Sequence, residues 1–230
     1  MRFFPKTSSN TYIKYNPHTL NPLIHSSNAD PNSNYVIGVF IDPGLINCAI
    51  RVCKNDLTTG KIETLLQVKL DFKKNTSNKD NEIDIYNNSI GILDYYLDFF
   101  KWSHYIIIEK QLPINYSLVR MSQHIISYFM INLRNKGFRP LIYEIDPKQK
   151  SHLLGGKFKM SKPQLKVWCK NKALEILTTR GDESTKKLII SSKKQDDHGD
   201  TVCYDECWWI LMKNDKIPFP INNKIKIIIF

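Results

Sequence analysis

"YVIGVFIDPGLINCAIRVCK", residues 35–54, holds two apolar runs joined by a short turn. The first run, 35–42, has the length of a strand and ends in an acidic residue, Asp42. The second, 46–54, has strand propensity throughout, and a third run follows at 62–72 after the loop DLTTGK. Because both connections are tight, the three runs predict an antiparallel meander.

The chain beyond this meander alternates between helical and strand patterns. Apolar residues spaced three and four apart predict helices, and short β-branched runs predict buried strands. One helical face extends from Tyr86 to Phe100, and a later helix opens on Ser161 as its N-cap. The other predictions are a strand at 104–110, a helix at 115–136 closed by Lys136-Gly137, a strand at 140–146, a basic loop at 147–160, a polar connector at 181–196 and a final helix at 197–213.

The resulting order, β-β-β-α-β-α-β-α-α, predicts an α/β protein with strands 4 and 5 parallel to strand 1. An RNase H-like fold requires this order: a five-stranded mixed sheet, with strands 1–3 antiparallel, flanked by helices. We expect the domain to span 35–214. Residues 1–34 predict a polar, flexible N-terminal extension, and 215–230 predict a C-terminal extension whose IKIIIF ending is a candidate edge strand.

The overall composition favours one globular domain with a polyanionic partner. The chain has 230 residues and is 42% hydrophobic, which is enough to bury a substantial core. The net charge of +11 favours nucleic acid first and an acidic membrane surface second. A compositional bias toward lysine, with Asn and Ile also abundant, explains the same charge equally well.

The cysteines and apolar runs bear on the compartment. Five scattered cysteines, without a second pair at zinc-finger spacing, indicate reduced thiols in an intracellular protein. No apolar run reaches the roughly 18 residues of a membrane span, and we expect no membrane partner. The start, MRFFPKTSSN, lacks the apolar stretch of a secretory signal, and its composition makes a mitochondrial presequence the less favoured prediction.

Acidic residues end two of the predicted strands. Asp42 ends the first strand and Glu109 the fourth, and the crossover topology places those ends side by side at one edge. Asp197 and Asp200 are three residues apart, so at a helix start they project from one face. Singly, each acid is more typical of a turn or a helix cap. Together, the four carboxylates predict a site for two Mg²⁺ ions, with Mn²⁺ as a substitute.

The residues around the Asp197 and Asp200 pair allow several roles. Asp196 is out of phase with Asp200 and is predicted to be an N-cap or an acid that supports the ligands. His198 is either a base or phosphate contact or an ordinary surface histidine, and the sequence leaves this choice open. Asp205 and Glu206, one to two turns into the helix, are predicted to face solvent.

Three motifs resemble those of the RuvC-type Holliday junction resolvases, in the branch found in poxviruses, other large DNA viruses and fungal mitochondria. They are IDPGLINCAI, IIIEKQLP and KKQDDHGDT, in the family's order within residues 35–214. Ile46 departs from the family, which usually has Lys or Arg at that place. The resemblance implies that the catalytic, metal-binding acids are Asp42, Glu109, Asp197 and Asp200, and it matches Gly44, Asn47 and Ala49 to the first hairpin and Gln111 and Pro113 to the stretch after strand 4.

The resemblance also implies an activity and an assembly. The activity is that of a Mg²⁺-dependent endonuclease that resolves four-way DNA junctions by two-metal phosphodiester hydrolysis. A junction must be cut symmetrically on two strands, so a homodimer is implied, and the helix 115–136, with Met121, Ile125, Phe129 and Met130, is a candidate dimer face. A viral source would place the protein at the site of viral DNA replication, in the cytoplasm or nucleus.

Basic residues cluster after the predicted sheet, where such an enzyme would meet DNA. They would give salt-dependent contacts to phosphate, although a solvated lysine face is nearly as typical. Tyr116 is predicted either to stack on an unpaired base or to pack within the protein. The lysines predicted to bind DNA are Lys148, Lys150, Lys157, Lys159, Lys162, Lys166, Lys193 and Lys194.

Two other functions on the same fold remain open at the level of sequence. One is a nuclease that acts on flaps or RNA–DNA hybrids. The other is a noncatalytic DNA-binding protein, which the four clustered acids disfavour. An actin-like ATP-binding domain shares the Asp-x-Gly hairpin but needs a second lobe that 230 residues scarcely allow.

Overall fold

The structure, a computed structural model, describes residues 35–74, 76, 81–133, 140–157 and 159–213. The extensions predicted at 1–34 and 215–230, and the predicted helix end at Lys136-Gly137, lie outside the described residues. The strands are β1 Tyr35–Asp42, β2 Cys48–Asp56, β3 Ile62–Leu70, β4 Tyr105–Glu109 and β5 Leu141–Ile145. The helices are α1 Glu82–Tyr95, α2 Leu97–Phe100, α3 Tyr116–Asn132, α4 Lys148–Leu153, α5 Lys162–Arg180, α6 Glu183–Ser191 and α7 Gln195–Lys213.

The strands form the predicted mixed sheet. The strand order is β3-β2-β1-β4-β5, in which β1, β2 and β3 are antiparallel and β4 and β5 run parallel to β1. Ile41 lies opposite Ile108 in the parallel pair. The next residues, Asp42 and Glu109, therefore end neighbouring strands at the same edge of the sheet.

Helices cover both faces of the sheet and create two cores. The first core lies under α1–α3, where Val39 and Ile106 pack with Leu93, Phe100 and Phe129. The second core lies under α4–α7 and is rich in aromatic side chains. There the Trp208 ring centroid is 5.1 Å from the ring centroids of both Tyr105 and Tyr143.

The alternation of side chains along the strands decides which face receives the acids. Ile41 and Ile108 belong to the core under α1–α3. Phe40 and Ile107, their neighbours in sequence, belong to the core under α4–α7. Because successive side chains of a strand point to opposite faces, Asp42 and Glu109 point to the face that α7 covers.

Several predicted boundaries and elements differ from the structure. The strand predicted at 46–54 is β2 at Cys48–Asp56, because the turn occupies residues 43–47. The face from Tyr86 to Phe100 is divided between α1 and α2 at Tyr96. Two segments predicted to lack regular structure contain helices: α4 lies in the basic loop at 147–160 and α6 lies in the connector at 181–196.

The prediction that Asp205 faces solvent is wrong. Asp205 is fully buried, and its Oδ2 accepts hydrogen bonds from Arg51 Nε at 2.8 Å and from Arg180 Nη1 at 2.5 Å. Arg51, also fully buried, bonds Gln67 and Thr64 on β3 as well. The two guanidinium groups offset the free-energy cost of burying this carboxylate. They also link α7 to β2 and to the end of α5.

The side chains proposed as a dimer face on α3 are largely unavailable. Met121, Ile125 and Phe129 are completely buried in the core between α3 and the sheet, and Met130 is partly buried against it. The three fully buried side chains are therefore not available for contact between subunits. Two findings concern the whole described chain: its five cysteines are buried free thiols, and none of its described helices is long and apolar enough to cross a membrane.

Candidate active site

Three elements bring the predicted acids to one place. Asp42 ends β1, Glu109 ends β4, and Asp197 and Asp200 lie in the first turns of α7. The carboxylates of Glu109, Asp200 and Asp197 all lie close enough to Asp42 to raise its pKa. Burial is the largest cause of that rise, which takes the pKa of Asp42 well above its usual value.

A lysine that was predicted to contact DNA lies inside this acidic group. Lys150, on α4, is only 4% exposed. Its Nζ donates a hydrogen bond to Asp200 Oδ1 and lies 3.5 Å from Glu109 Oε2. Burial alone would lower the pKa of Lys150, but Glu109 and Asp200 more than offset that effect and the pKa is raised well above its usual value. Lys150 is thus a permanent cation among the acids and not part of the exposed lysine surface.

Two further side chains hold these acids, and neither was predicted. The Tyr204 hydroxyl donates to Glu109 Oε2 at 2.5 Å, and the Cys169 thiol donates to Asp200 Oδ1 at 3.0 Å. Tyr204 lies one helical turn after Asp200, so its presence on the same face is visible in the sequence. Cys169 comes from α5, and nothing in its surrounding sequence indicates the contact.

Asp196 and Asp197 differ in their surroundings. Asp196 lies within the first turn of α7, which begins at Gln195, so it is not the predicted N-cap. Its Oδ2 accepts from Lys166 Nζ, and although burial opposes the effect, the pKa of Asp196 is lowered. Asp197 has a buried Oδ2 without a hydrogen-bond partner among the described residues, and burial, followed by Asp196, raises its pKa.

His198 is buried, which excludes the surface role considered for it. The ring is 3% exposed, and Nδ1 lies 3.0 Å from Gln67 Nε2. Arg51 donates to Gln67 Oε1, so the amide nitrogen of Gln67 must face the histidine, whose Nδ1 accepts. Burial, and after it the nearby Lys69, lower the pKa of His198 to about 4. His198 therefore anchors α7 to β3 as a neutral ring.

The turn and loop at this edge contain the remaining predicted residues. A Cβ on Gly44 would lie 2.8 Å from the Asn47 carbonyl oxygen, so the tight turn between β1 and β2 requires glycine there. Gln111 Nε2 donates to the Glu109 carbonyl at 3.2 Å, which steadies the chain after β4. Tyr116 is 77% exposed at the start of α3. Of the lysines predicted to bind DNA, the exposed ones are Lys148, Lys157, Lys159, Lys162, Lys166, Lys193 and Lys194.

The donors at this site suit a hard divalent cation in kind. The predicted ligands are all carboxylates, with no soft ligand among them, and one of their oxygens, Asp197 Oδ2, is buried and has no hydrogen-bond partner among the described residues. In the described ranges, no three His, Cys, Asp or Glu side chains are close enough together to hold a metal ion. Because Lys150 contacts two of the acids, ion binding requires its ammonium group to move aside.

Comparison with known proteins gives one sequence relative and several structural ones. No protein-family model matches the chain. The chain is 25% identical over 146 residues to "Uncharacterized protein 97L" of Invertebrate iridescent virus 3, an overlap of 64% of this chain and 67% of that protein.

Three of the structural neighbours each cover three quarters or more of this chain. RuvC of T. thermophilus, solved with a Holliday junction substrate, has a TM-score of 0.53 and 13% identity, covering 79% of this chain and 98% of RuvC. The fowlpox virus Holliday junction resolvase gives 0.51 and 15%, with 75% and 97% covered. The yeast mitochondrial Holliday junction resolvase Ydc2 gives 0.56 and 14%, with 84% and 87% covered. The chain therefore has the RNase H-like fold of the RuvC-type resolvases.

Proposed function

We propose that this protein is a structure-specific endonuclease that resolves four-way DNA junctions by hydrolysing phosphodiester bonds. The observation that carries the proposal is the gathering of Asp42, Glu109 and Asp200 around Lys150 at the carboxyl edge of β1 and β4. Support comes from the neighbours of this fold: RuvC and the fowlpox virus resolvase were both solved with Holliday junction DNA.

The proposed cofactor is a pair of Mg²⁺ ions, for which Mn²⁺ can substitute. Asp42, Glu109, Asp197 and Asp200 would hold them, since carboxylate oxygens are the ligands these ions prefer. When bound, such ions activate the attacking water and stabilise the charge that develops on the leaving oxygen.

The protein's own residues then have separable tasks. Asp42 and Glu109 end two hydrogen-bonded neighbouring strands of the sheet, and they would fix where the reacting phosphate must sit. Lys150, once released from Asp200, is the nearest cation for a non-bridging phosphate oxygen. Arg51 and Asp205 keep α7 at a fixed height above the sheet, so that Asp200 faces the sheet acids.

Exposed lysines around the site are the proposed DNA-binding surface. Lys166 bonds Asp196, which shows that the start of α5 lies beside the start of α7. This surface would contact phosphates without reading the sequence, and its affinity for DNA would fall steeply with salt. Its members are Lys148, Lys157, Lys159, Lys162, Lys166, Lys193 and Lys194, with the exposed Tyr116 available to stack on an unpaired base.

We propose further that the active form is a homodimer. Each chain contains one group of acids, whereas resolution of a junction needs a nick in each of two opposing strands. We also place the protein in a reducing intracellular compartment, because its five cysteines are free thiols. The resemblance to an iridescent virus protein favours the site of viral DNA replication over the mitochondrion.

The experiment that tests this function compares substrates. Purified protein is incubated with Mg²⁺ and equal amounts of a four-way junction, a flap, an RNA–DNA hybrid and a linear duplex. We expect the junction to be cut first and by paired nicks at symmetric positions. Preferred cutting of the flap or the hybrid would replace the proposed substrate, and binding without cutting of any substrate would leave only a DNA-binding role.

A further inference from the structure

Glu109 and Asp200 share a feature that the proposed chemistry does not by itself require. The protein's side-chain contacts with Glu109 converge on one oxygen, Oε2, which takes the Tyr204 hydroxyl at 2.5 Å and has Lys150 Nζ at 3.5 Å. Those with Asp200 converge on Oδ1, which takes Lys150 Nζ and the Cys169 thiol, the latter at 3.0 Å. In both cases no side chain in the described part of the chain bonds the second oxygen, which is left for another partner.

Tyr204 is built into the structure so that it can only donate to Glu109. It is fully buried, and burial raises its pKa well above the usual value, so the hydroxyl stays protonated. The Lys150 ammonium lies 4.3 Å from the centre of its ring, in a cation–π contact. One side chain of α7 therefore touches both the acid of β4 and the lysine of α4.

A carboxylate needs such a donor because its terminal torsion is soft. That torsion has a broad, roughly two-fold profile, so an unpinned carboxylate can offer either oxygen to a neighbouring ammonium. Lys150 lies near both Glu109 and Asp200, and a free carboxylate would turn its face toward this cation. A second donor on the same oxygen, from a packed helix, fixes this torsion and leaves the other oxygen available for a different partner.

We propose that Tyr204 and Cys169 are positioning residues, which hold Glu109 Oε2 and Asp200 Oδ1 so that Glu109 Oε1 and Asp200 Oδ2 face the divalent cation. This inference rests on the proposed function in one respect, namely that these acids bind a cation. It assigns to each acid the oxygen that binds. It also gives two buried residues of α7 and α5 a part in the site without any contact with DNA.

The test measures ion binding by the full-length protein in the absence of DNA. Mn²⁺ is titrated by calorimetry into the wild type, Tyr204→Phe and Tyr128→Phe. Tyr128 is a matched control, because it is a buried tyrosine whose hydroxyl donates to a carboxylate, Asp94 Oδ1 at 2.7 Å, in the other core. We expect Tyr204→Phe to weaken Mn²⁺ binding about tenfold, the usual effect of losing a group that orients a metal ligand, and Tyr128→Phe to leave it unchanged.

Cys169 supplies an independent pair of variants, which also decides the matter if Tyr204→Phe does not fold. Cys169→Ala removes the donor to Asp200, whereas Cys169→Ser replaces the thiol by a hydroxyl that can donate. We expect weaker Mn²⁺ binding in Cys169→Ala and recovery in Cys169→Ser. Equal weakening in both variants would indicate a packing effect and would overturn the assignment for Cys169.

A double-mutant cycle shows whether Tyr204 acts through Glu109. In the Glu109→Gln background, Tyr204→Phe should have no further effect on Mn²⁺ binding. An undiminished effect there, wild-type affinity in Tyr204→Phe, or no Mn²⁺ binding by the wild type would each overturn the inference. If the variants change ion binding as expected while the wild type cuts no junction, the inference stands and the proposed function fails.

Discussion

Lys150 is the residue that distinguishes this site from a simple cluster of acids. A buried ammonium group is costly unless carboxylates surround it, and here Glu109 and Asp200 do so. Buried carboxylates facing one another are costly as well, and the raised pKa of Asp42 records that cost. The lysine and the acids therefore stabilise one another electrostatically. A divalent cation would have to replace the Lys150 ammonium group in these contacts.

The first prediction concerns Asp42→Asn. The pKa of Asp42 is raised in the folded state, so the folded protein holds this proton more tightly than the unfolded chain does. The stability that the protonated carboxyl contributes is complete below the unfolded pKa of 3.8 and is lost as the pH rises through the folded pKa. At neutral pH the ionised carboxylate therefore destabilises the fold. Asparagine removes the charge. We expect the metal-free variant to be more stable by about 1 kcal/mol, or about 2–4 °C in Tm, as measured by thermal unfolding at pH 7 in EDTA.

The same substitution should separate DNA binding from cutting. Asp42→Asn is expected to bind a junction with wild-type affinity in a gel-shift assay, since the exposed lysines are unchanged, and to cut none of it. A variant that melts below the wild type would contradict the electrostatic account of Asp42. Cutting at the wild-type rate would remove Asp42 from the site.

The second prediction concerns acid pH and the buried histidine His104. Its Nδ1 accepts from the Ile37 amide at 2.9 Å, and burial lowers its pKa to about 4. In the unfolded chain the same imidazole is protonated near pH 6.5, so protons favour the unfolded state below that pH. The contribution of neutral His104 to stability is therefore complete above pH 6.5 and is lost as the pH falls toward 4. At pH 5 we expect the loss to be about 2 kcal/mol for His104, and a similar loss for His198, by urea denaturation.

A substitution isolates the share of His104 in this loss. His104→Asn keeps an acceptor for the Ile37 amide but has no proton to gain, so its stability should fall less between pH 7 and pH 5. The exposed His152→Asn is the control and should follow the wild type. An unchanged pH dependence in His104→Asn would contradict the assignment.

At the scale of single residues, the sequence predicts the acids but not their partners. Asp42 and Glu109 follow apolar strands, and Asp197 and Asp200 have helical spacing, so local pattern was sufficient. Lys150 is separated from Glu109 by 41 residues and Tyr204 by 95, and each contact depends on how a helix packs across the sheet. A lysine in a basic loop gives no sign that it will be buried.

The helix α7 is the element on which the site depends. It is buried on most sides, with Trp208 and Trp209 in the core and Asp205 in an ion pair with Arg51 and Arg180. Although burial opposes it, these two arginines lower the pKa of Asp205, which therefore stays ionised. The helix cannot shift without breaking this ion pair, and Asp197 and Asp200 are held in place with it.

The third prediction compares two neighbouring acids of α7. Asp205→Asn leaves the fully buried Arg51 without its closest carboxylate, and we expect a loss of about 3–5 kcal/mol in the free energy of unfolding by urea denaturation. Glu206, whose side chain is 30% exposed, is the other carboxylate partner of Arg180. Glu206→Gln should therefore lower the free energy of unfolding by about 1 kcal/mol or less. Equal losses in the two variants would show that the buried ion pair does not anchor the helix.

The fourth prediction concerns the start of α5 and the approach to α7. Lys162 and Lys193 are exposed at the start of α5 and just before α7, so the double variant Lys162→Ala/Lys193→Ala should lower junction affinity and reduce the slope of log Kd against log salt by about 1–2. The control, Lys54→Ala/Lys101→Ala, removes the same charge at the opposite edge of the sheet. Equal slopes of log Kd against log salt in the two double variants would show that the DNA-binding surface does not include the start of α5.

At the scale of elements, strands were more predictable than short helices. Each strand is an apolar run of the expected length, and the predicted bounds are within two residues of the observed ones. The helix α6 was missed because its buried residues are Thr185 and Ile189, and a polar residue hides the helical stripe. The helix α4 was missed because its single buried residue is a lysine, Lys150.

For the whole molecule, the order of elements was enough to predict the fold. Two tight turns force β1, β2 and β3 to be antiparallel, and right-handed crossovers then place β4 beside β1 and β5 beside β4. The same order explains why proteins with only 13–15% identity have the same architecture. A contact surface between subunits was not predictable in the same way, because the apolar face chosen on α3 packs in the core.

Strand mapping on an immobile junction shows whether this acidic group cuts four-way junctions. Each of the four strands is end-labelled in turn and incubated with the wild type in Mg²⁺ or in EDTA. In Mg²⁺ alone, we expect two nicks at symmetric positions in opposing strands. No nicks, or nicks that persist in EDTA, would contradict this expectation.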